Sequence, residues 1–106
     1  MDYYFYLLKP SIEVKDGMTL DEFISSLTET QKGILEEHFA YMEKLVKQKK
    51  ILLGGPLLDA KGLVLILRVS SKDEAEQLIS NEPTISSNLF QIAESHPMQI
   101  AISIQN

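Results

Sequence analysis

The chain has 106 residues, 44% of them hydrophobic and 24% charged, with a net charge of −5 and no cysteine. That length bounds it to one globular domain able to bury a single core, and the acidic balance argues against nucleic acid or an anionic membrane as partner. The missing thiols exclude disulfides, zinc ribbons and thiol nucleophiles, and the apolar runs fall short of the roughly 20 residues that cross a bilayer.

Tyr3-Tyr4-Phe5-Tyr6-Leu7-Leu8 is rich in strand-forming aromatic residues and is stopped by Lys9-Pro10, which predicts a first strand. From Ser11 to Thr30 the sequence turns polar. Asp16-Gly17 marks a turn, and Thr19-x-x-Glu22 has the spacing of a capping box that opens a short helix carrying Leu20, Phe23, Ile24 and Leu27. This stretch reads as a lid-like connection, either a mobile lid or a packed arm. A second box, Thr28-x-x-Gln31, precedes a long helix that ends in Lys47, Lys49 and Lys50, where the macrodipole favours cations.

Turned at about 100° per residue, positions 34–46 of that helix place Ile34, Leu35, His38, Phe39, Met42, Leu45 and Val46 within one arc of about 140°. A histidine therefore stands where leucine is expected. An unsatisfied buried polar group costs about 1–3 kcal/mol, so the imidazole needs a hydrogen-bonding partner or a cavity. It is a candidate general acid or base, and equally a candidate core histidine satisfied by a neighbour.

Ile51-Leu52-Leu53 begins a second strand interrupted by Gly54-Gly55-Pro56, and Asp59-Ala60-Lys61-Gly62 turns the chain into an almost wholly apolar strand, Leu63 to Val69. The two glycines read as a β-bulge or close backbone approach, not a phosphate loop, since the flanking Lys-Ser/Thr is missing. Ser71-x-x-Glu74 caps a second helix with Ala75, Leu78 and Ile79 inward, and Asn81-Glu82-Pro83 terminates it. Ser86-Ser87-Asn88 reads as a solvated turn. Leu89 to Glu94 and Met98 to Ile104 supply final strand material around a bend at His96-Pro97.

The order β-α-β-β-α-β predicts an α+β, ferredoxin-like fold, with two helices on one face of an antiparallel sheet. Its central strands are apolar at odd and even positions alike, so the second sheet face also needs a cover. A second copy related by a two-fold axis is the simplest one, which predicts a homodimer.

His38-Phe39-Ala40-Tyr41-Met42-x-x-Leu45, Lys50-Ile51-Leu52-Leu53-Gly54-Gly55-Pro56-Leu57, Asn81-Glu82-Pro83 and His96-Pro97-Met98, in that order, resemble the YCII-related family of dimeric α+β barrel proteins. The likeness runs from Tyr3 to Ile104. It implies a ferredoxin-like protomer, a dimer, and a pocket between helices and sheet in which a histidine and an acidic residue form a catalytic pair. It does not imply one reaction, since relatives include dehydrochlorinase-like and muconolactone-isomerase-like enzymes. The family histidine falls on His38 and the family's Asp-Pro on Glu82-Pro83. Glutamate adds a methylene here, which moves the carboxylate by about 1.5 Å, a displacement that can cost about a hundredfold in rate.

Two functions follow as expectations. In one, the chain is a cofactor-independent lyase or isomerase acting on a small cyclic or aromatic acid. His38 is then the general base and Glu82 its orienting partner, and the substrate lies against Tyr6, Met42, Gly54, Gly55 and Pro56. In the other it is a non-catalytic homodimeric domain that binds a small molecule. No His-x-x-x-His or similar spacing points to a metal, no cofactor motif is present, and the start of the chain lacks the marks of a secretion signal, which makes the cytoplasm the expected location.

Overall fold

The computed structural model describes residues 1–104. Strand β1 (Asp2–Pro10) is followed by helices α1 (Leu20–Ser25) and α2 (Glu29–Lys47). A hairpin of β2 (Ile51–Pro56) and β3 (Leu63–Val69) leads to α3 (Lys72–Ser80), a one-turn helix α4 (Pro83–Ser86) and β4 (Phe90–Met98). The strands form one antiparallel sheet in the order β2-β3-β1-β4. This is the expected α+β, ferredoxin-like arrangement.

Both capping boxes form. The Thr19 hydroxyl accepts from the Glu22 N–H at 3.1 Å while the Glu22 carboxylate accepts from the Thr19 N–H at 3.2 Å, and Thr28 and Gln31 exchange the same pair at 3.1 and 2.9 Å. At α3 only half of a box exists, because the Glu74 carboxylate reaches back to the N–H of Ser70 rather than that of Ser71. That bond, with Lys50 Nζ at 3.2 Å, holds the Glu74 carboxyl below the usual range. Helix α2 ends in a Schellman turn: the Lys50 N–H donates to Leu45 O, the Lys49 N–H donates to Val46 O, and Lys49 takes the left-handed conformation with φ 58°.

The period of two along the strands sorts the sheet into two faces. Leu63, Leu65, Leu67 and Val69 of β3, with Tyr6 and Leu8 of β1, are buried under the helices together with Ala75 and Ile79 of α3 and Phe23 and Leu27. Tyr3, Phe5, Leu7, Val64 and Ile66 lie on the opposite face, half-buried. Gly62 permits the hairpin to close on β1, since a Cβ there would meet Leu8 O at 2.5 Å.

Two expectations about the last third of the chain need correction. Strand β4 runs unbroken through His96 and Pro97, with Pro97 opposite Tyr4; as an edge strand it has a side on which the missing proline N–H costs no ladder bond. The irregularity sits earlier, between Ile92 and Glu94, where the register against Leu7 and Leu8 slips. Nor does strand continue from Gln99 to Ile104, because β1 begins at Asp2 and leaves no partner beyond the Tyr3–Met98 pair. No helix among the described residues is long and apolar enough to cross a membrane.

Candidate functional site

Helix α2 carries His38 under the fold, where it is 7% exposed. Its Nδ1 pairs with Oε1 of Glu82, a carboxylate that is fully buried. The chain between α3 and α4 positions that acid. Glu82 is the N-cap of α4, Pro83 at the first helical position pre-sets the turn, and the other carboxylate oxygen accepts from both the backbone N–H (3.1 Å) and the hydroxyl of Thr84. Thr84 is itself fully buried. The carboxylate thus meets three donors and its extra methylene is held by the turn that follows it.

With Glu82 ionised, Nδ1 of His38 carries the proton and donates, and Nε2 keeps its lone pair. Among the described residues nothing hydrogen-bonds Nε2, and no sealed side-chain nitrogen or oxygen lacks a partner, so Nε2 meets open space. That space is a cavity of about 420 Å³ with His38 in its wall. Helix α1 contributes Leu20, Phe23 and Ile24, and α2 contributes Leu35, Phe39, Met42 and Val46 beside the histidine. The floor is β2 and β3, with Leu63 and Leu65, and Phe90 closes one end.

Gly54 helps to create the room. It stands opposite Leu65 on the helix-facing side of β2, where a larger residue would fill the floor and a Cβ alone would come within 2.7 Å of Leu65 Cδ2. The register slips between Ile51 and Leu53, so the sheet bulges beside the cavity. Gly55 and Pro56 border the same space. The polar stretch after β1, expected as a lid-like connection, is a packed roof: Phe23 is buried edge-on against Phe90 with ring centroids 6.3 Å apart, and the Leu20 N–H donates to Leu58 O at 2.8 Å.

Of the residues singled out from the sequence, His38, Glu82, Met42, Gly54, Gly55 and Pro56 converge on this place, with Glu82 behind the histidine rather than in the wall. Tyr6 does not. It faces the helices as its strand period requires, but it is buried in the core and does not line the cavity. Burial first, then the charge of Glu76 on α3, pushes its hydroxyl above the ordinary tyrosine pKa, which marks its surroundings as those of α3. Phe39 and Val46, counted in the buried stripe of α2, are 59% and 56% exposed and form the cavity's rim.

Thr84 was not singled out from the sequence. The signal was available in Glu-Pro-Thr, an acidic N-cap followed by proline and a hydroxyl residue two positions on. Tyr41 is a second neighbour: its hydroxyl donates to Leu78 O at 2.8 Å, and burial, followed by the charge of Glu82, raises its pKa. His96 lies elsewhere, exposed on β4, with Nε2 3.1 Å from Glu94 Oε1 and its ring stacked on Phe5. Among the described residues no three His, Asp or Glu side chains gather as a metal-ligand set.

Comparison with known proteins adds to this geometry. No curated protein matches the chain. Among solved structures the chain is similar to the 5-chloro-2-hydroxyhydroquinone dehydrochlorinase TftG from Burkholderia phenoliruptrix AC1100, solved in complex with 2,5-dihydroxybenzoquinone. The identity is 25% and the TM-score 0.59, over 93% of this chain and 92% of that one. The family model of the YCII-related domain matches residues 13–99, from the roof through the long helix, the hairpin and the Glu82 turn to the last strand. The chain belongs to the YCII-related family.

Proposed function

We propose that this protein is a cofactor-independent lyase or isomerase of small cyclic or aromatic acids, with His38 as general base and Glu82 as the group that orients it. The observation that carries this reading is an imidazole whose Nδ1 is tied to a buried carboxylate while Nε2 opens onto an apolar cavity. Such a pairing holds one tautomer and leaves the lone pair of the other nitrogen free to take a proton. Nε2 takes a proton from the guest, and the electron pair left behind either expels a leaving group such as chloride, with net loss of HCl, or shifts a double bond, with the proton returned to another atom. The likeness to a dehydrochlorinase over nearly the full length supports the first of these.

A homodimer and a cytoplasmic location belong to the same reading. The half-buried row of Tyr3, Phe5, Leu7, Val64 and Ile66 is an apolar face that no helix among the described residues covers, the kind of surface that a second copy buries. Light scattering at micromolar concentration is expected to give twice the chain mass. The chain's lack of thiols suits either redox compartment, so the location rests on the sequence expectation alone.

Chloride release from chlorinated hydroxyquinols, and double-bond migration in unsaturated lactones, test the activity. His38→Gln is expected to lower turnover by about 10²–10⁴-fold, the range general-base catalysis supplies, while the guest still binds. A cavity that binds such rings without turning any of them over would favour the second reading, a non-catalytic binding domain in which His38 only contacts the ligand.

A further inference from the structure

Which acidic group the guest carries is decided by the charges around the cavity. Among the described residues His38 bears the only polar side chain in the wall; every other lining residue is aliphatic, aromatic, methionine, glycine or proline. Among the described residues no lysine, arginine, serine, threonine or asparagine reaches the space. The rim is apolar as well, with Phe39, Val46, Leu52 and Leu53 exposed around the mouth. Lys50, the cation that follows α2, lies outside the wall and is engaged with Glu74.

Behind the wall the site already holds one negative charge when Glu82 is ionised, and that carboxylate has all three of its donors inside the protein. A guest carboxylate would place a second anion in the same apolar enclosure with no cation to meet it. Protonation of His38 would bring the sum back to that of the empty site only by drawing a further proton from solution along with the anion. A ring bearing a neutral O–H behaves differently. It donates to Nε2, and if the proton crosses, phenolate, imidazolium and Glu82 together carry the same net charge as the empty site.

We infer that the cavity takes a neutral, mostly apolar ring carrying a weakly acidic O–H, a phenol or an enol, and rejects ring carboxylates. The inference rests on the cavity being the substrate site. Strongly polar anions lose their hydration on entering such a wall and recover nothing, whereas a phenol-like O–H exchanges one water contact for Nε2 and buries its ring. The acid meant for His38 is thus the kind that titrates near or above neutrality rather than the kind already ionised in solution.

Three ring compounds of nearly one shape test this on the intact protein: 4-methylphenol, 4-methylbenzoate and toluene, with dissociation constants from calorimetry and melting shifts at neutral pH. The phenol is expected to bind at least about tenfold more tightly than the carboxylate and more tightly than toluene. Equal or tighter binding of the carboxylate overturns the inference and leaves the cavity as a substrate site. Toluene matching the phenol also overturns it, because His38 then selects nothing. Failure of all three to bind at about 1 mM sinks the cavity reading itself, and this inference with it.

Discussion

Two histidine–glutamate pairs occupy opposite sides of one sheet, and they are chemically the same and physically unlike. His38–Glu82 lies under the helices with side chains 9% and 0% exposed; His96–Glu94 lies on the uncovered side at 60% and 54%. The buried carboxylate has three donors, Nδ1 of His38, the Thr84 N–H and the Thr84 hydroxyl, whereas Glu94 has one imidazole and solvent. Burial is what turns a contact into a structural commitment. A charge pair in water is worth about 0–1 kcal/mol, while removing one partner of a buried pair costs about 3–5 kcal/mol because the other is left uncompensated.

The largest difference is therefore expected on truncating the buried acid. Glu82→Ala leaves Nδ1 of His38 and both Thr84 donors unpaired, and should lower the unfolding free energy by about 3–5 kcal/mol in urea titrations. A loss below about 1 kcal/mol would put the two pairs in one class and end the comparison. Thr84→Val comes next. It deletes the hydroxyl donor but keeps the 3.1 Å backbone bond to the carboxylate and most of the side-chain volume, so a cost of about 1–2 kcal/mol is expected. If Thr84 holds the acid for catalysis, turnover falls in this variant and the pH profile of kcat moves, a readout that packing alone would leave unchanged.

A third test reads the charge of Glu82 from a neighbour. Burial and then Glu82 raise the pKa of Tyr41, so its folded value lies above the unfolded one near 10. The stabilisation tied to that shift is fully present below the unfolded pKa and is lost as pH rises through the folded one. In Glu82→Gln the coulombic share disappears, and the Tyr41 ultraviolet titration, assigned by difference from Tyr41→Phe, should move to lower pH. Glu94→Gln should leave it in place. A Tyr41 titration indifferent to Glu82→Gln would mean that the acid is protonated in the native state.

The same contrast explains what could be read from the sequence. His38 stood out because one helix period fixes its direction, and the capping spacings at Thr19 and Thr28 located α1 and α2, since caps and periods are local. Glu82 is 44 residues from His38, and only the family resemblance paired them. Thr84 and α4 stayed hidden because a four-residue helix carries no periodicity. Tyr6 was expected in the wall because alternation along β1 says which face a residue takes, not what covers it there, and Tyr6 is sealed in the core opposite Leu65 without lining the cavity. The end of β4 was overrun because apolar alternation continues past Met98 although its partner strand does not.

The exposed pair supplies the smallest effect and the sharpest control. In dilute protein Glu94→Ala is expected to change the unfolding free energy by no more than about 0.5 kcal/mol, and less at high salt, where exposed charges are screened within about 3 Å at 1 M. That near-neutrality holds only while the sheet face is open. Glu94 and His96 stand opposite Leu7 and Phe5 in the ladder, on the face proposed to meet a second copy, so pairing of the chains draws them toward the seam. The cost of Glu94→Ala should then rise with protein concentration, appearing as weaker dimerisation in light scattering. A cost that stays flat from nanomolar to micromolar protein would leave this pair in solvent at every concentration, and the apolar row beside it would need some other cover.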